Sequence, residues 1–438
     1  MYVSGEFATA PSRAHSTNSS FLRPDRTGLL NRLFQGYDGP AFSIRLWDGW
    51  TWSSWPNTSP SFTIVLKTPH ALKALIAEPN EVSLGEAFIH CEIDIEGDIF
   101  SVFSAAEHLL NRPRTTKQRL AEGAARMATG ASRWLRHGFR HSLARDRSSI
   151  AYHYDQPVEF FRPWLGETLA YSCAYFRTGD EPLDLAQTQK LEIVCRKLRL
   201  QPSDRFLDIG CGWGSLVLHA ARAHRAQTLG ITLSEQQAKV AQGRITEAAI
   251  EGACAVELRD YRDCHHLHES FDKIASVGMV EHVGLRNLSA YFRIAHRLLR
   301  PGGVFLNHGI VRSSVAPVRA SSFVDRHVFP NGKLTTLYDV IHAAERAGFE
   351  VRDVENLREH YERTLRHWVR GLERTKNDLL NLVSEKTYRI WLLYMSGSAA
   401  AFQRGDITVC QVLLSKPHRG NSHLPLVRED WYSLSTQA

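Results

Sequence analysis

A glycine-rich loop that begins with an acidic residue is the part of this sequence best suited to ligand chemistry. It reads Asp208-Ile-Gly-Cys-Gly-Trp-Gly, with Gly210, Gly212 and Gly214 at alternate positions after a run of strand-forming residues. Glycine lets the backbone turn sharply and approach a ligand without a Cβ clash. In a parallel sheet, ligands bind beyond the carboxyl ends of the strands, where this loop is expected to lie.

Three features favour S-adenosylmethionine over a dinucleotide as the ligand of this loop. The glycines are spaced Gly-x-Gly-x-Gly rather than Gly-x-Gly-x-x-Gly, and Asp208 precedes them. The next predicted strand ends in Thr232-Leu-Ser instead of an acid for a ribose hydroxyl. Asp260 and Tyr261, after the third strand, are expected to hold the adenine. Another nucleotide or a purely structural loop remains the alternative.

The residues around the loop alternate between predicted strands and helices. Strands are predicted at 205–210, 227–233, 255–260, 271–278 and 303–310, and helices at 213–224, 234–250 and 287–299. This alternation indicates a parallel sheet with helices on both faces. We therefore predict an α/β fold whose main part, residues 151–418, is a doubly wound, Rossmann-like, class I methyltransferase domain with a seven-stranded sheet.

A small α+β domain is predicted before the catalytic domain, over residues 23–111. Apolar and polar residues alternate at 42–47 and 61–67 and again before residue 99, and 71–77 is predicted to be helical. This region carries no catalytic signature. Residues 1–22 have no hydrophobic periodicity and are expected to be disordered, and residues 419–438 to form a C-terminal tail.

Residues 112–150 form a strongly basic segment between the two predicted domains. From Arg112 to Arg147 the chain carries ten basic residues against two acidic ones, so its net charge of +7 is concentrated here. Apolar residues from Leu120 to Leu143 recur at helical spacing, which predicts an amphipathic helix. Such a helix suits an anionic membrane surface, but a linker helix packed on the catalytic domain explains the pattern equally well. No nucleic-acid motif accompanies the charge, so nucleic acid is not predicted as a partner.

The seven cysteines predict reduced thiols in a cytoplasmic protein rather than a disulfide framework. Their number is odd and none are spaced as Cys-x-x-Cys, which also argues against a structural zinc site, and no metal ligand is predicted. The first residues lack a basic stretch followed by an apolar run, so no secretory signal is expected. The longest apolar stretch, Trp391 to Phe402, is short for a membrane span and predicts a buried helix.

Several stretches between about residues 152 and 417 are more particular than the glycine loop. They read Tyr171-Ser-Cys-Ala-Tyr, Leu207-Asp-Ile-Gly-Cys-Gly-Trp-Gly, Gly230-Ile-Thr-Leu-Ser-Glu-Gln-Gln, Asp260-Tyr-Arg-Asp, Ser276-Val-Gly-Met-Val-Glu-His-Val-Gly, His308-Gly-Ile, Val328-Phe-Pro-Asn-Gly and Tyr361-Glu-Arg-Thr-Leu. In these stretches the chain resembles the cyclopropane-fatty-acyl-phospholipid synthase family, which includes the mycolic acid cyclopropane synthases. The small domain resembles, more weakly, the accessory lipid-associated domain of the longer bacterial enzymes.

The resemblance implies transfer of a methylene group from S-adenosylmethionine to the cis double bond of an unsaturated phospholipid acyl chain, by a peripheral enzyme of the inner membrane surface. In this family a bound bicarbonate is thought to deprotonate the new methyl group. By similarity it would be held by Cys173, Glu281, His308, Tyr361 and the Ile310 backbone. Glu281 must then share or donate a proton, because two anions would repel. The residues that would bind S-adenosylmethionine are Tyr171, Ser172, Asp208, Gly210, Gly212, Gly214, Thr232, Leu233, Gln237, Asp260 and Tyr261.

Each proposed catalytic residue also has a plain structural interpretation. Cys173 alone would be a packing residue, His308 a core histidine, Glu281 the start of a helix and Tyr361 a surface residue. The stretch Asn307-His-Gly-Ile-Val departs from the commoner Leu-His-Thr-Ile-Gly pattern, so a cyclopropane, methyl-branched or methylene-branched product stays open. A small-amine methyltransferase and a non-catalytic lipid-binding protein are the rival functions. A homodimer is expected by analogy alone.

Overall fold

The structure, a computed structural model, describes residues 25–76, 80–112, 156–315, 322–329 and 334–432. The predictions for residues 1–22 and for nearly all of the basic segment lie outside the described residues. Within the described residues, the strands form a four-stranded sheet near the N-terminus and a seven-stranded sheet in the larger C-terminal part.

The four-stranded sheet belongs to a small α+β unit, as the sequence predicts. Its strands are β1 (Phe42–Arg45), β2 (Thr51–Ser53), β3 (Phe62–Leu66) and β4 (Ile93–Gly97), in the order β2-β1-β3-β4. Its helices are Arg26–Leu33, Pro69–Ile76, Glu81–Ile89 and Val102–Leu110. The residues of β3 alternate between buried and half-buried, because successive side chains of a strand point to opposite faces.

The seven-stranded sheet confirms the doubly wound α/β prediction. Its strands are β5 (Arg205–Ile209), β6 (Gln227–Thr232), β7 (Cys254–Leu258), β8 (Phe271–Val277), β9 (Leu299–Arg312), β10 (Glu350–Asn356) and β11 (Ile407–Ser415). The order is β10-β11-β9-β8-β5-β6-β7, with β11 antiparallel to both its neighbours and the other pairs parallel. The longer helices of this part are Val158–Leu165, Leu183–Leu198, Ser215–His224, Glu235–Glu247, Leu288–Leu298, Leu337–Arg346, Arg358–Arg374 and Glu385–Arg404, and the short ones Tyr261–Asp263, Val280–Val283, Leu285–Asn287, Phe323–His327, Lys376–Leu380 and Glu429–Tyr432.

The strands and helices that the sequence predicts between residues 205 and 310 lie within a few residues of the observed elements. Ser234 caps the helix Glu235–Glu247, with its side chain accepting the backbone N–H of Gln237 at 3.2 Å. The helix after the glycine loop starts at Ser215 instead of residue 213, because Gly214 still has a left-handed conformation. Strand β9 is longer than predicted at both ends.

The apolar stretch after Trp391 lies in the helix Glu385–Arg404, which is largely buried as predicted. This helix also joins the two units: Arg389 donates from Nη1 to the carbonyl of Phe88 at 3.2 Å and from Nη2 to Asp94 at 3.2 Å. Within the described residues, no helix combines the length and apolar character needed to cross a bilayer.

Candidate functional site

The glycine loop adopts left-handed backbone conformations that favour glycine. Gly210, Gly212 and Gly214 have φ values of +86°, +55° and +83°, which side chains disfavour. A Cβ on Gly210 would also lie 3.1 Å from the side chain of Met279, and one on Gly214 would lie 3.0 Å from Cβ of Ala241. The loop therefore passes close to its neighbours at the carboxyl end of β5.

A pocket opens at this end of the sheet and is lined by most of the predicted donor-binding residues. They are Tyr171, Ser172, Asp208, Gly210, Gly212, Thr232, Leu233, Gln237 and Tyr261. Gly214 lies outside the lining, at the start of the next helix. The loop, three strand ends and the segment around Tyr171 thus meet at one place, although they are far apart in the sequence.

Asp260, which the sequence predicts to hold the adenine together with Tyr261, is not among the residues that line this pocket. Its carboxylate instead accepts from Nε of Arg262 at 2.9 Å and from Nη2 at 2.8 Å. Tyr261 and Arg262 line the pocket in its place. Asp260 therefore positions the Arg262 side chain and the short helix Tyr261–Asp263, for which it is also the N-cap.

Lys190 is a pocket residue that the sequence analysis missed. Its Nζ donates to Oγ of Ser172 at 2.9 Å, and the side chain is buried on the helix Leu183–Leu198. Burial lowers the pKa of Lys190 to about 8. Burial also raises the pKa of Asp208 to about 7, an effect that the charge of Lys190 opposes. The sequence signal for a buried lysine at the pocket was its position on the apolar face of a helix, one turn before Val194.

The segment that carries Tyr171 and Ser172 is held by the same helix. Gln187 donates from Nε2 to the carbonyl of Ala170 at 3.2 Å and to that of Ser172 at 2.9 Å. Because Gln187 and Lys190 are neighbours on one helical face, this helix orients the segment against the pocket.

Glu281 and Ile310 meet where β8 ends beside the longer strand β9. The last residue of β8, Val277, pairs with His308, so the Ile310 N–H extends past the end of its parallel neighbour. The Glu281 carboxyl group lies next to this N–H in place of a strand partner, and its Oε1 accepts the Ile310 N–H at 2.7 Å. Its Oε2 is buried and has no hydrogen-bond partner among the described residues. Burial raises the pKa of Glu281 to about 7, so the carboxyl group can carry a proton near neutral pH.

His308 lies two residues before Ile310 on β9 and is almost completely buried. The Gln411 amide nitrogen lies 3.2 Å from Nδ1. An amide nitrogen can only donate, so Nδ1 accepts and the ring proton is on Nε2. Nε2 is buried without a partner in the part of the chain that the structure describes. Burial, with smaller contributions from the charges of Lys190 and Lys197, lowers the pKa of His308 to about 3, so the ring is neutral.

Cys173 and Tyr361 form a second group, at the start of the helix Arg358–Arg374. The Cys173 thiol is fully buried and lies 3.2 Å from the carbonyl of Ala174 and 3.8 Å from that of Leu357. Burial raises its pKa, so the sulfur keeps its proton. The Tyr361 N–H donates to the Leu357 carbonyl at 3.0 Å, and its ring contacts Phe402 at a centroid distance of 4.7 Å.

The sheet brings the two groups next to each other. The Leu357 N–H donates to the carbonyl of Val409 at 2.8 Å, and Val409 is the register partner of Ile310. Cys173, Leu357, Tyr361 and Val409 belong to one hydrophobic cluster, against which Ile310 packs. The Ile310 N–H itself is bonded to Glu281, so it orients that carboxyl group in this structure.

Aromatic rings surround the same region. The ring of Tyr171 lies 5.3 Å from Trp368, 5.8 Å from Trp164 and 6.0 Å from Trp391, measured between centroids. Trp213 of the glycine loop joins them through Phe161 at 4.9 Å. Tyr171 therefore belongs both to the pocket and to this aromatic cluster, whose tryptophan and phenylalanine rings are buried.

The glycine that distinguishes the His308 stretch is required by packing. A Cβ on Gly309 would lie 2.2 Å from Cγ1 of Val280 and 3.7 Å from Oε2 of Glu281. Atoms that approach so closely overlap, so Gly309 permits Val280 to pack against β9. Gly309 thereby helps to place the neighbouring Glu281.

Comparisons with known proteins agree with this geometry. Residues 141–412 match the profile of the mycolic acid cyclopropane synthetase family, and residues 29–112 match a domain of unknown function. A probable fatty acid methyltransferase of Pseudomonas putida is 40% identical over 89% of this chain and 95% of its own length. The cyclopropane-fatty-acyl-phospholipid synthase of Escherichia coli K12 is 36% identical over 60% of this chain and 66% of its own. The crystal structure of mycolic acid cyclopropane synthase CmaA1 with SAH and CTAB has a TM-score of 0.58 and 33% identity, over 61% of this chain and 97% of that one.

The fold, the pocket and these matches define an S-adenosylmethionine-dependent methyltransferase. Within that class, the chain belongs to the mycolic acid cyclopropane synthetase family, whose profile covers more than half of it.

The raised pKa of Glu281 predicts how the stability of the ligand-free enzyme depends on pH. An unfolded glutamate titrates near about 4.3, whereas burial raises the folded pKa to about 7. The folded state therefore holds the extra proton between these values, and its stability falls as pH rises from about 4 to about 7. Glu281→Gln cannot ionise, so it should be more stable than the wild type at about pH 8, with a smaller difference at about pH 5.

Urea unfolding of both proteins across this pH range measures the effect. Glu251→Gln, at an exposed turn, is the matched control and should follow the wild type. A constant difference between Glu281→Gln and the wild type at every pH would contradict the buried-carboxyl interpretation.

Proposed function

We propose that this enzyme transfers the methyl carbon of S-adenosylmethionine to a cis double bond in the acyl chain of a phospholipid and forms a cyclopropane ring. The observation that supports this most directly is that two buried polar atoms, Oε2 of Glu281 and Nε2 of His308, have no hydrogen-bond partner among the described residues. Buried polar groups normally find partners, so unpaired ones point to a bound ligand.

The residues around this pair suit a small anion such as bicarbonate. Neutral His308 offers an N–H donor, and protonated Glu281 offers an O–H donor without adding negative charge. Bicarbonate bound here would supply the base that removes a proton from the new methyl group. Glu281 and His308 would hold it, with Cys173 and Tyr361 beside them across β11.

The aromatic cluster supports the alkylation of an alkene. Methyl transfer breaks the sulfur–methyl bond, joins that carbon to one alkene carbon and leaves positive charge on the other. The rings of Tyr171, Trp368 and their neighbours can stabilise this charge through their π faces. They also keep water away from the cation, and water would otherwise trap it as an alcohol.

Phospholipid as the carrier of the acyl chain, and a peripheral position on the inner membrane surface, are part of the same proposal. The name of the Escherichia coli relative and the basic segment 112–150 support them. A homodimer, in which one subunit remains at the membrane while the other reacts, is proposed by analogy with relatives.

The test is product analysis with methyl-labelled S-adenosylmethionine. Purified enzyme is incubated with vesicles of a monounsaturated anionic phospholipid, and the fatty acids are identified by mass spectrometry and proton NMR. Cyclopropyl proton signals, absent with Glu281→Gln, are the expected result. A parallel incubation with the same acyl chain supplied as a free fatty acid shows whether the enzyme requires a phospholipid or accepts an unesterified chain.

A methyl- or methylene-branched product is the second candidate, because Gly309 and Val311 depart from the commoner pattern and the Pseudomonas putida relative is named a probable fatty acid methyltransferase. Label in the acyl chain without cyclopropyl signals would establish this alternative. Donor binding without label in any lipid would exclude both and favour a small amine acceptor.

A further inference from the structure

A cluster of metal-ligating side chains lies on two helices of the catalytic domain, apart from the catalytic residues. Cys195 is on the helix Leu183–Leu198, and His219 and His224 are on the helix Ser215–His224. One ligand atom from each of the three lies within 4.8 Å of the others. The thiol is fully buried, whereas the two histidines are partly exposed.

Glu192 lies next to this cluster, one helical turn before Cys195, and contacts both histidines. Its Oε2 lies 3.1 Å from Nε2 of His219 and 3.1 Å from Nε2 of His224. Its other oxygen, Oε1, accepts from Nε of Arg196 at 2.6 Å. Arg196 therefore holds one oxygen of the carboxylate, and the other oxygen contacts both imidazole nitrogens.

These distances are close to those of a tetrahedral metal centre. Zinc–nitrogen and zinc–oxygen bonds of about 2.0–2.2 Å place adjacent ligand atoms about 3.3 Å apart, and a bond of about 2.3 Å to sulfur places the thiolate slightly farther away. The nitrogen–oxygen distances already match, and the cysteine sulfur, which lies within 4.8 Å of the histidine nitrogens, must move closer when the ion binds.

We propose that Cys195, His219, His224 and Glu192 bind a zinc ion. One soft thiolate and two imidazoles favour Zn²⁺ over Mg²⁺ or Ca²⁺, which prefer oxygen ligands. On binding, the Cys195 thiol releases its proton to solvent and the sulfur forms the metal bond. Arg196 remains on Oε1 as the outer partner that orients the carboxylate. The partly exposed histidines provide the path by which the ion enters.

The ion would link the two helices that support the donor pocket. The helix of Cys195 carries Lys190 and Gln187, which hold Ser172, and the helix of the histidines starts at the glycine loop. Zinc is thus expected to stabilise the folded enzyme without entering the reaction.

Cobalt substitution tests the ligand set in the full-length enzyme. The protein is stripped with a chelator and titrated with Co²⁺, and then Zn²⁺ affinity is measured by competition with a chromogenic chelator. A tetrahedral thiolate site is expected to give a sulfur-to-cobalt charge-transfer band in the near ultraviolet. Zn²⁺ should abolish this band and raise the Tm of the protein.

Variants separate this site from adventitious binding at surface histidines. Cys195→Ala should lose the band, and His224→Gln, at a partly exposed position, should weaken Zn²⁺ binding by about 100-fold or more. Cys254→Ala, at another buried cysteine, should leave both readouts unchanged. Wild-type enzyme that gives no such band, or that binds Zn²⁺ no more tightly than His224→Gln, would overturn the proposal.

Discussion

Glu281→Gln is expected to lower the kcat of the proposed reaction by about 10²–10⁴-fold, the range for loss of a group that takes part in proton transfer. The amide can still accept the Ile310 N–H, so the local backbone should remain as it is. It cannot carry the exchangeable proton that the carboxyl group holds near pH 7. Donor affinity should stay within about twofold, because Glu281 does not line the donor pocket.

Single-turnover lipid labelling and calorimetric titration with S-adenosylhomocysteine measure these two quantities. Glu251→Gln provides the control at an exposed position. A parallel loss of donor affinity and rate would show that Glu281 acts through the fold of the pocket instead of through proton chemistry.

Gly309→Thr is expected to lower activity by about 100-fold, since misplacing a reacting group by about 1 Å has that effect. The new Cβ would overlap Cγ1 of Val280, the residue next to Glu281. Overpacking of this kind also costs about 1–3 kcal/mol of stability. The commoner pattern of the family has threonine at this position, so the clash is specific to this chain's packing.

A second substitution tests whether the clash with Val280 is the cause. Val280→Ala removes the overlapping Cγ1 methyl group, so Val280→Ala/Gly309→Thr should recover most of the Tm and activity. In the double variant the threonine hydroxyl can donate to Oε2 of Glu281, which lies 3.7 Å from the Cβ position. That bond favours the carboxylate, so the pH profile should shift to lower pH. A double variant as impaired as Gly309→Thr would refute the packing explanation.

The sequence by itself determined the features that depend on neighbouring residues. Periodicity predicted the alternating strands and helices between residues 205 and 310, and the spacing of Gly210, Gly212 and Gly214 predicted the loop at the pocket. The cap at Ser234 followed from its type and position. These signals suffice because strand alternation, helix capping and positive φ are properties of a few consecutive residues.

The tertiary structure alone decided which polar groups meet. Glu281 can bond to the Ile310 N–H because β8 ends at the residue that pairs with His308, whereas β9 continues to Ile310 and beyond. The sequence does not mark the residue at which β8 ends. The Asp260 carboxylate bonds to Arg262, which lines the pocket. Lys190 reaches Ser172 only through the packing of its helix. Such contacts join residues far apart in the chain, and burial then sets the pKa values, so neither spacing nor composition could predict them.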